Sequence, residues 1–138
     1  PHFATARRVL SKTYGLVLPN QSAAQDWSLE AQRAGFLQFL KFLWGNLAGQ
    51  AGLPVDPAWA SQTAILQGMA QVKLPDLLLR AEELPNALPA LAGQDQAFVL
   101  PNPCDPISLS EIYTTEIEEV CAEAYRRDYV SFGFGSWA

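Results

Sequence analysis

The chain has 138 residues, of which 49% are hydrophobic and 17% charged, with a formal net charge of −5. That is one domain's worth of chain with enough apolar material for a core. An acidic balance without a basic, aromatic-interleaved stripe argues against a nucleic-acid binder.

No apolar run reaches membrane-spanning length: the longest, "GFLQFLKFLWGNL", is broken by Gln38, Lys41 and Asn46. Two cysteines, Cys104 and Cys121, are too few for a disulfide scaffold, and one histidine cannot assemble zinc-ligand spacing. The chain opens on Pro1, which reads as a piece of a larger or processed protein. No signal-peptide pattern is visible.

In chain order, "ATARRVLSKTYG" predicts a short helix stopped by Gly15. "LPNQSAAQD" reads as a loop, from which Asp26 or Ser28 caps a second helix. There Phe36, Phe39, Leu40, Leu43 and Leu47 keep helical spacing, while Leu37, Phe42 and Trp44 widen the stripe. Packing on more than one side is expected. "GQAGLPVDPAWASQ" is punctuated by glycines and prolines, and a helix follows from about Ser61 to Met69.

The run Leu77-Leu78-Leu79 predicts a short strand buried on both faces. "LPNALPALAG" predicts a short helix closed by Gly93 and weakened by Pro89, and "VLPNPCDPIS", which holds Cys104, a proline-rich loop.

The last helix is expected to use Thr115 as N-cap and Glu118 to complete a capping box. Its inward face is Ile117, Val120, Cys121, Ala124, Tyr125 and Asp128, with Cys121 as a small buried hydrophobe. Asp128, if inward, needs backbone or tyrosine donors. Tyr129, Val130, Phe132, Phe134 and Trp137 follow closely and are expected to dock as core. The fold class is therefore mainly α with one or two short strands. A lone strand needs partners, which points to sequence upstream.

Three stretches, in this order, resemble the carboxy-terminal half of sulfotransferases of the carbohydrate and membrane-associated type. "DPAWASQTAIL" is similar to the family's Asp-x-His-Trp-x-Pro-Gln segment, through Asp56, Trp59 and Gln62. "LPDLLLRAEEL" resembles its late strand ending in Arg-x-Glu-x-Leu, here Arg80, Glu82 and Leu84. The last helix resembles its ending of Tyr, Asp-Tyr and Phe-Gly-aromatic, here Tyr125, Asp128, Tyr129, Phe132, Gly133 and Phe134. "ARRVLSKTY" also looks like the segment Arg-x-x-Ser that supports the donor's 3′-phosphate, and Phe36 and Phe39 fit a Phe-x-x-Phe helix.

The resemblance implies that residues 1–138 are the carboxy-terminal part of a single α/β, P-loop-like sulfotransferase domain, without its amino-terminal phosphosulfate-binding part. It implies 3′-phosphoadenosine 5′-phosphosulfate (PAPS) as donor. The acceptor would be a small-molecule or carbohydrate hydroxyl or amine. Arg8, Ser11 and Lys12 are the expected donor-binding residues, and Trp59, Gln62 and Arg80 the expected acceptor-side residues.

Arg80 is included because ligands in open α/β sheets gather at strand carboxyl ends. No catalytic base and no metal ligand are assigned. The departures are specific: no Gly-rich loop with Lys and Ser/Thr occurs, the family's supporting arginine falls on Phe3, and Ala58 stands at the histidine position. This chain alone is expected to be inactive. Sulfonate transfer, by analogy with phosphoryl transfer, needs positioning, cations on the donor and a base on the acceptor. Cytoplasm fits a bacterial source and the secretory lumen a eukaryotic one. The alternative is a non-catalytic helical scaffold or partner-binding domain.

Overall fold

A computed structural model describes residues 2–16, 28–94 and 108–137, with side chains from Arg7 onward. The elements are α1 (His2–Thr13), α2 (Leu29–Leu47), α3 (Gln62–Ala70), a 3₁₀ turn (Ala81–Glu83), α4 (Leu84–Leu91), α5 (Leu109–Ile112), α6 (Thr115–Ala124) and α7 (Arg126–Phe132). The chain divides into two compact units: Pro1–Ile65 with Pro106–Ala138, and Leu66–Asp105.

The first unit is built around α2. Ser28 caps it, its hydroxyl accepting the Ala31 N–H at 3.2 Å; Asp26, the other expected cap, lies outside the described residues. As the wide apolar stripe predicts, α2 packs on several sides, chiefly against α6 and also α5. Leu40, Phe42 and Leu43 join Leu10 and Leu16 from the α1 segment and Ile117 from α6 in one core. Phe42 is completely buried, meeting Tyr14 and Trp59 edge-on with ring centroids 5.2 and 6.1 Å away. A side chain of that size contributes roughly 1.5–3 kcal/mol on burial. Trp44 departs from the stripe and is half exposed.

The last predicted helix is two helices. Thr114, not Thr115, is the N-cap of α6, accepting the Ile117 N–H at 3.3 Å. Glu118 makes no capping box there, because its carboxylate turns to the hydroxyls of Tyr113 and Tyr129. The chain leaves helical geometry at Tyr125 (φ −107°, ψ 26°) before α7 begins. Helical periodicity runs on through that break, so sequence spacing did not reveal it.

The aromatics after the break are less buried than expected. Tyr129, Phe132 and Phe134 are half-buried and contact one another, whereas Val130 and Trp137 are exposed. Gly133 makes the fold-back possible. Its φ of 63° is left-handed, and the Phe134 N–H then reaches the Tyr129 carbonyl at 3.1 Å.

In the second unit, α4 starts with Pro85 in its first turn, where a missing N–H costs little, and ends before Gly93 at φ 65°. The expected strand is absent: no strand occurs among the described residues, and 77–80 is irregular. A buried strand must share its ladder bonds with neighbours. Without them Leu77 and Leu78 lie more than half exposed, as do Met69, Val72 and Leu74.

Candidate functional site

Within the first unit, the irregular residues 53–61 and the start of α3 are fastened at four points. Asn46, fully buried on α2, donates its amide to the Leu53 carbonyl at 2.8 Å. Its Oδ1 accepts the Trp59 indole N–H, also at 2.8 Å. The Trp59 carbonyl accepts the Tyr125 hydroxyl at 2.8 Å. Asp128, only 4% exposed, takes the Gln62 N–H on one oxygen at 2.8 Å. Its other oxygen takes the Thr63 N–H and hydroxyl at 2.9 and 2.6 Å.

The first amides of α3 are donors with no partner inside their own helix. A carboxylate from α7 supplies that partner, and its charge suits the positive end of the helix. This also satisfies the requirement, foreseen in the sequence, that an inward Asp128 find backbone donors. Within the segment, the Asp56 side chain accepts the Ala58 N–H at 2.9 Å, closing the turn that presents Trp59.

Beside this joint lies a groove of about 700 Å³. Trp44, Val55 and Ile65 give it apolar walls, and Arg126, Arg127, Glu123 and Ser61 supply polar groups. Glu123 makes no ion pair with either arginine among the described residues, so the hollow carries charged groups of both signs. Apolar walls with a few charged and polar groups are the usual make-up of a small-molecule groove. Arg126 and Arg127 carried no motif in the sequence. Their only signal was adjacency to the Tyr125 and Asp128 positions.

The expected site residues fall in separate places. Arg8, Ser11 and Lys12 are all exposed on α1, and their spacing puts them on one helix face. Trp59 is half-buried and engaged by its ring, its indole N–H and its carbonyl. It therefore has a packing role whatever else it does. Gln62 is exposed and its backbone N–H is held by Asp128. Arg80 belongs to the second unit, where its backbone N–H meets the Glu83 carboxylate at 2.7 Å. It ends no strand, so the strand-end argument for it falls. Cys104 lies outside the described residues.

A polar cluster on α6 was not foreseen. Glu118 accepts hydrogen bonds from Tyr113 and, at 3.0 Å, from Tyr129. Burial, followed by the bond to Glu118, raises the Tyr113 phenol above its ordinary range. Burial and the nearby Cys121 raise Tyr129 likewise. The Cys121 thiol is itself pushed up by burial, which leaves it protonated and a poor nucleophile. Burial, with Cys121 and Asp128 nearby, pushes Tyr125 up to about 12.

Among the described residues no group of three or more His, Cys, Asp or Glu is placed to hold a metal. Nor is any helix among them long and apolar enough to cross a membrane. No protein-family model, curated protein or solved structure matches the chain.

Proposed function

We propose that this chain is the carboxy-terminal part of a sulfotransferase that moves a sulfonate group from PAPS to an acceptor hydroxyl or amine, with a carbohydrate as the acceptor class. One observation carries the reading. Two of the three stretches that bear the resemblance, far apart in sequence, bind each other: Asp128 holds the Gln62 and Thr63 amides, and Tyr125 holds the Trp59 carbonyl. Residues of two motifs that meet in one hydrogen-bonded joint have a shared reason to occur together.

In this reading Arg8, Ser11 and Lys12 meet the donor's 3′-phosphate from one face of α1. The 5′-phosphosulfate would be held by residues outside this sequence. The joint at Asp128 positions the acceptor-side segment around Trp59 and Gln62. In the transfer, the sulfur–oxygen bond to the 5′-phosphate breaks as the acceptor oxygen or nitrogen bonds to sulfur. The acceptor proton passes to a base that this chain does not supply.

The encoding reading frame tests this. A strand, a Gly-rich loop with Lys-Ser/Thr and a helix immediately upstream are expected, together with transfer of labelled sulfonate from PAPS by that longer polypeptide. A longer polypeptide without the loop or without transfer overturns the reading.

A second reading, a non-catalytic helical partner-binding domain, is favoured by the exposed Met69, Val72, Leu74, Leu77 and Leu78. Such a run of apolar side chains is what a docking surface presents. An unchanged oligomeric state after replacing Leu74, Leu77 and Leu78 by Ser, with no loss of any binding partner, would reject it.

A further inference from the structure

A second hollow, of about 590 Å³, opens on the first unit between the α5–α6 connection and the segment after α7. Its lining differs in kind from that of the arginine groove. Ser110, Thr115 and Ser136 bring hydroxyls, Glu118 a carboxylate, and Tyr113 and Trp137 aromatic surface. No Lys or Arg lines it among the described residues.

Trp137 stands edge-on to Tyr113, with ring centroids 4.4 Å apart at 84°. That contact fixes the indole while leaving the side chain 48% exposed. Tyr113 is anchored in turn by its bond to Glu118. The indole is therefore a half-open, supported surface, with hydrogen-bonding groups of both kinds around it.

Each lining feature narrows the ligand. A carboxylate with no Lys or Arg beside it among the described lining residues disfavours phosphates, sulfates and carboxylates. Hydroxyls and a carboxylate accept and donate hydrogen bonds to a ligand that does both. An aromatic platform adds contact for a ligand with an apolar face. A neutral sugar ring combines these properties: hydroxyls around its edge and C–H groups across its face.

We propose that this hollow is a binding site for neutral saccharide, with Trp137 against the ring face and Glu118, Thr115 and Ser136 on its hydroxyls. The site needs no donor and stands apart from the groove at Arg126 and Arg127. It goes beyond the sulfonate-transfer reading and holds equally for a non-catalytic domain.

The test is an NMR titration of the chain with maltose, cellobiose and N,N′-diacetylchitobiose, following the tryptophan indole N–H signals. At least one of the three is expected to shift the Trp137 signal saturably. Trp137→Ala, followed through the backbone amide signals of Thr115 and Ser136, should weaken that affinity roughly tenfold, since it removes both ring area and the aromatic contact. Thr115→Phe, at an exposed position that makes no bond to hold α6, should block the hollow and weaken binding to a similar degree. Trp44→Ala, in the other groove, should leave it unchanged. Glucuronic acid should bind less well than the neutral sugars. Absence of any Trp137 shift from all three disaccharides overturns the proposal, as does an affinity unchanged in both Trp137→Ala and Thr115→Phe.

Discussion

Asp128 on α7 holds Thr63 at the start of α3 by two hydrogen bonds to one carboxylate oxygen, from the backbone N–H at 2.9 Å and the hydroxyl at 2.6 Å. With the Gln62 N–H on the other oxygen, a side chain remote in sequence caps α3 alongside the local Ser61, whose hydroxyl accepts the Ala64 N–H at 3.1 Å. Asp128→Ala should therefore destabilise the fold by about 2–4 kcal/mol, because three hydrogen bonds to one buried carboxylate are lost together. Asp128→Asn keeps an acceptor for Thr63 and should cost less. Urea unfolding of the two variants checks both the size and the order. A loss below about 0.5 kcal/mol in Asp128→Ala, the range of an indifferent surface change, would contradict the capping role.

Asn46 should behave similarly from the other side of the same segment. Its replacement by Ala removes the partner of the Trp59 indole and of the Leu53 carbonyl together. A cost of about 2–4 kcal/mol is expected from two stranded polar groups. Hydrogen exchange at the Trp59 indole should rise well before global unfolding. An indole that stays protected in Asn46→Ala would mean that another group holds it.

Alkaline pH should unfold the chain cooperatively. Tyr113, Tyr125 and Tyr129 all have folded-state phenols raised above the ordinary value near 10, Tyr125 to about 12. Raised groups favour the protonated fold. Their contribution is complete below pH of about 10, where the unfolded chain begins to ionise. That of Tyr125 is lost as pH rises through about 12, and those of Tyr113 and Tyr129 decline over the same rise without being exhausted. Unfolding midpoints measured from pH 8 to 12 should stay level and then fall. Tyr125→Phe should flatten the decline and also lower the plateau, since it loses the bond to Trp59. A midpoint independent of pH across that range would contradict the burial of these phenols.

Much of this architecture was legible in the sequence. Ser28 as a cap, the many-sided packing of α2, and Ile117 and Asp128 on the inward face follow from spacing and side-chain chemistry, which act locally. Three features did not. The break at Tyr125 interrupts an unbroken periodic pattern, and the partners of Tyr125 and Asp128 around it, Trp59 and the start of α3, are distant in sequence. The strand expected at Leu77 rested on apolar character alone, and pairing is a relation between chains of residues that one run cannot specify. Glu118 looked like half of a capping box, and only the folded chain shows Tyr113 and Tyr129 within its reach. For the site, the sequence pointed to Trp59 and Gln62 but not to Asn46, Arg126 or Arg127, whose roles arise from tertiary proximity.

Arg8 and Ser11 should be dispensable for folding and needed for the donor. Both are exposed, so Arg8→Ala and Ser11→Ala should change stability by less than about 0.5 kcal/mol, whereas Leu10→Ala, in the core, should cost about 2–5 kcal/mol. In a polypeptide that carries the phosphosulfate loop, the two surface variants should raise the donor KM more than they lower kcat, because the 3′-phosphate lies remote from the sulfur. Unaltered donor kinetics in both would assign the α1 face another job.

The most direct measurement is an NMR titration of this chain with 3′-phosphoadenosine 5′-phosphate, the desulfonated donor, beside adenosine 5′-monophosphate, which lacks the 3′-phosphate. Our account predicts weak, saturable shifts centred on Arg8, Ser11 and Lys12 with the first nucleotide and none there with the second. Binding should be weak because the 5′ cradle is missing from this sequence. Equal responses to both nucleotides, or an unperturbed α1 at saturating concentration, would contradict the sulfotransferase reading.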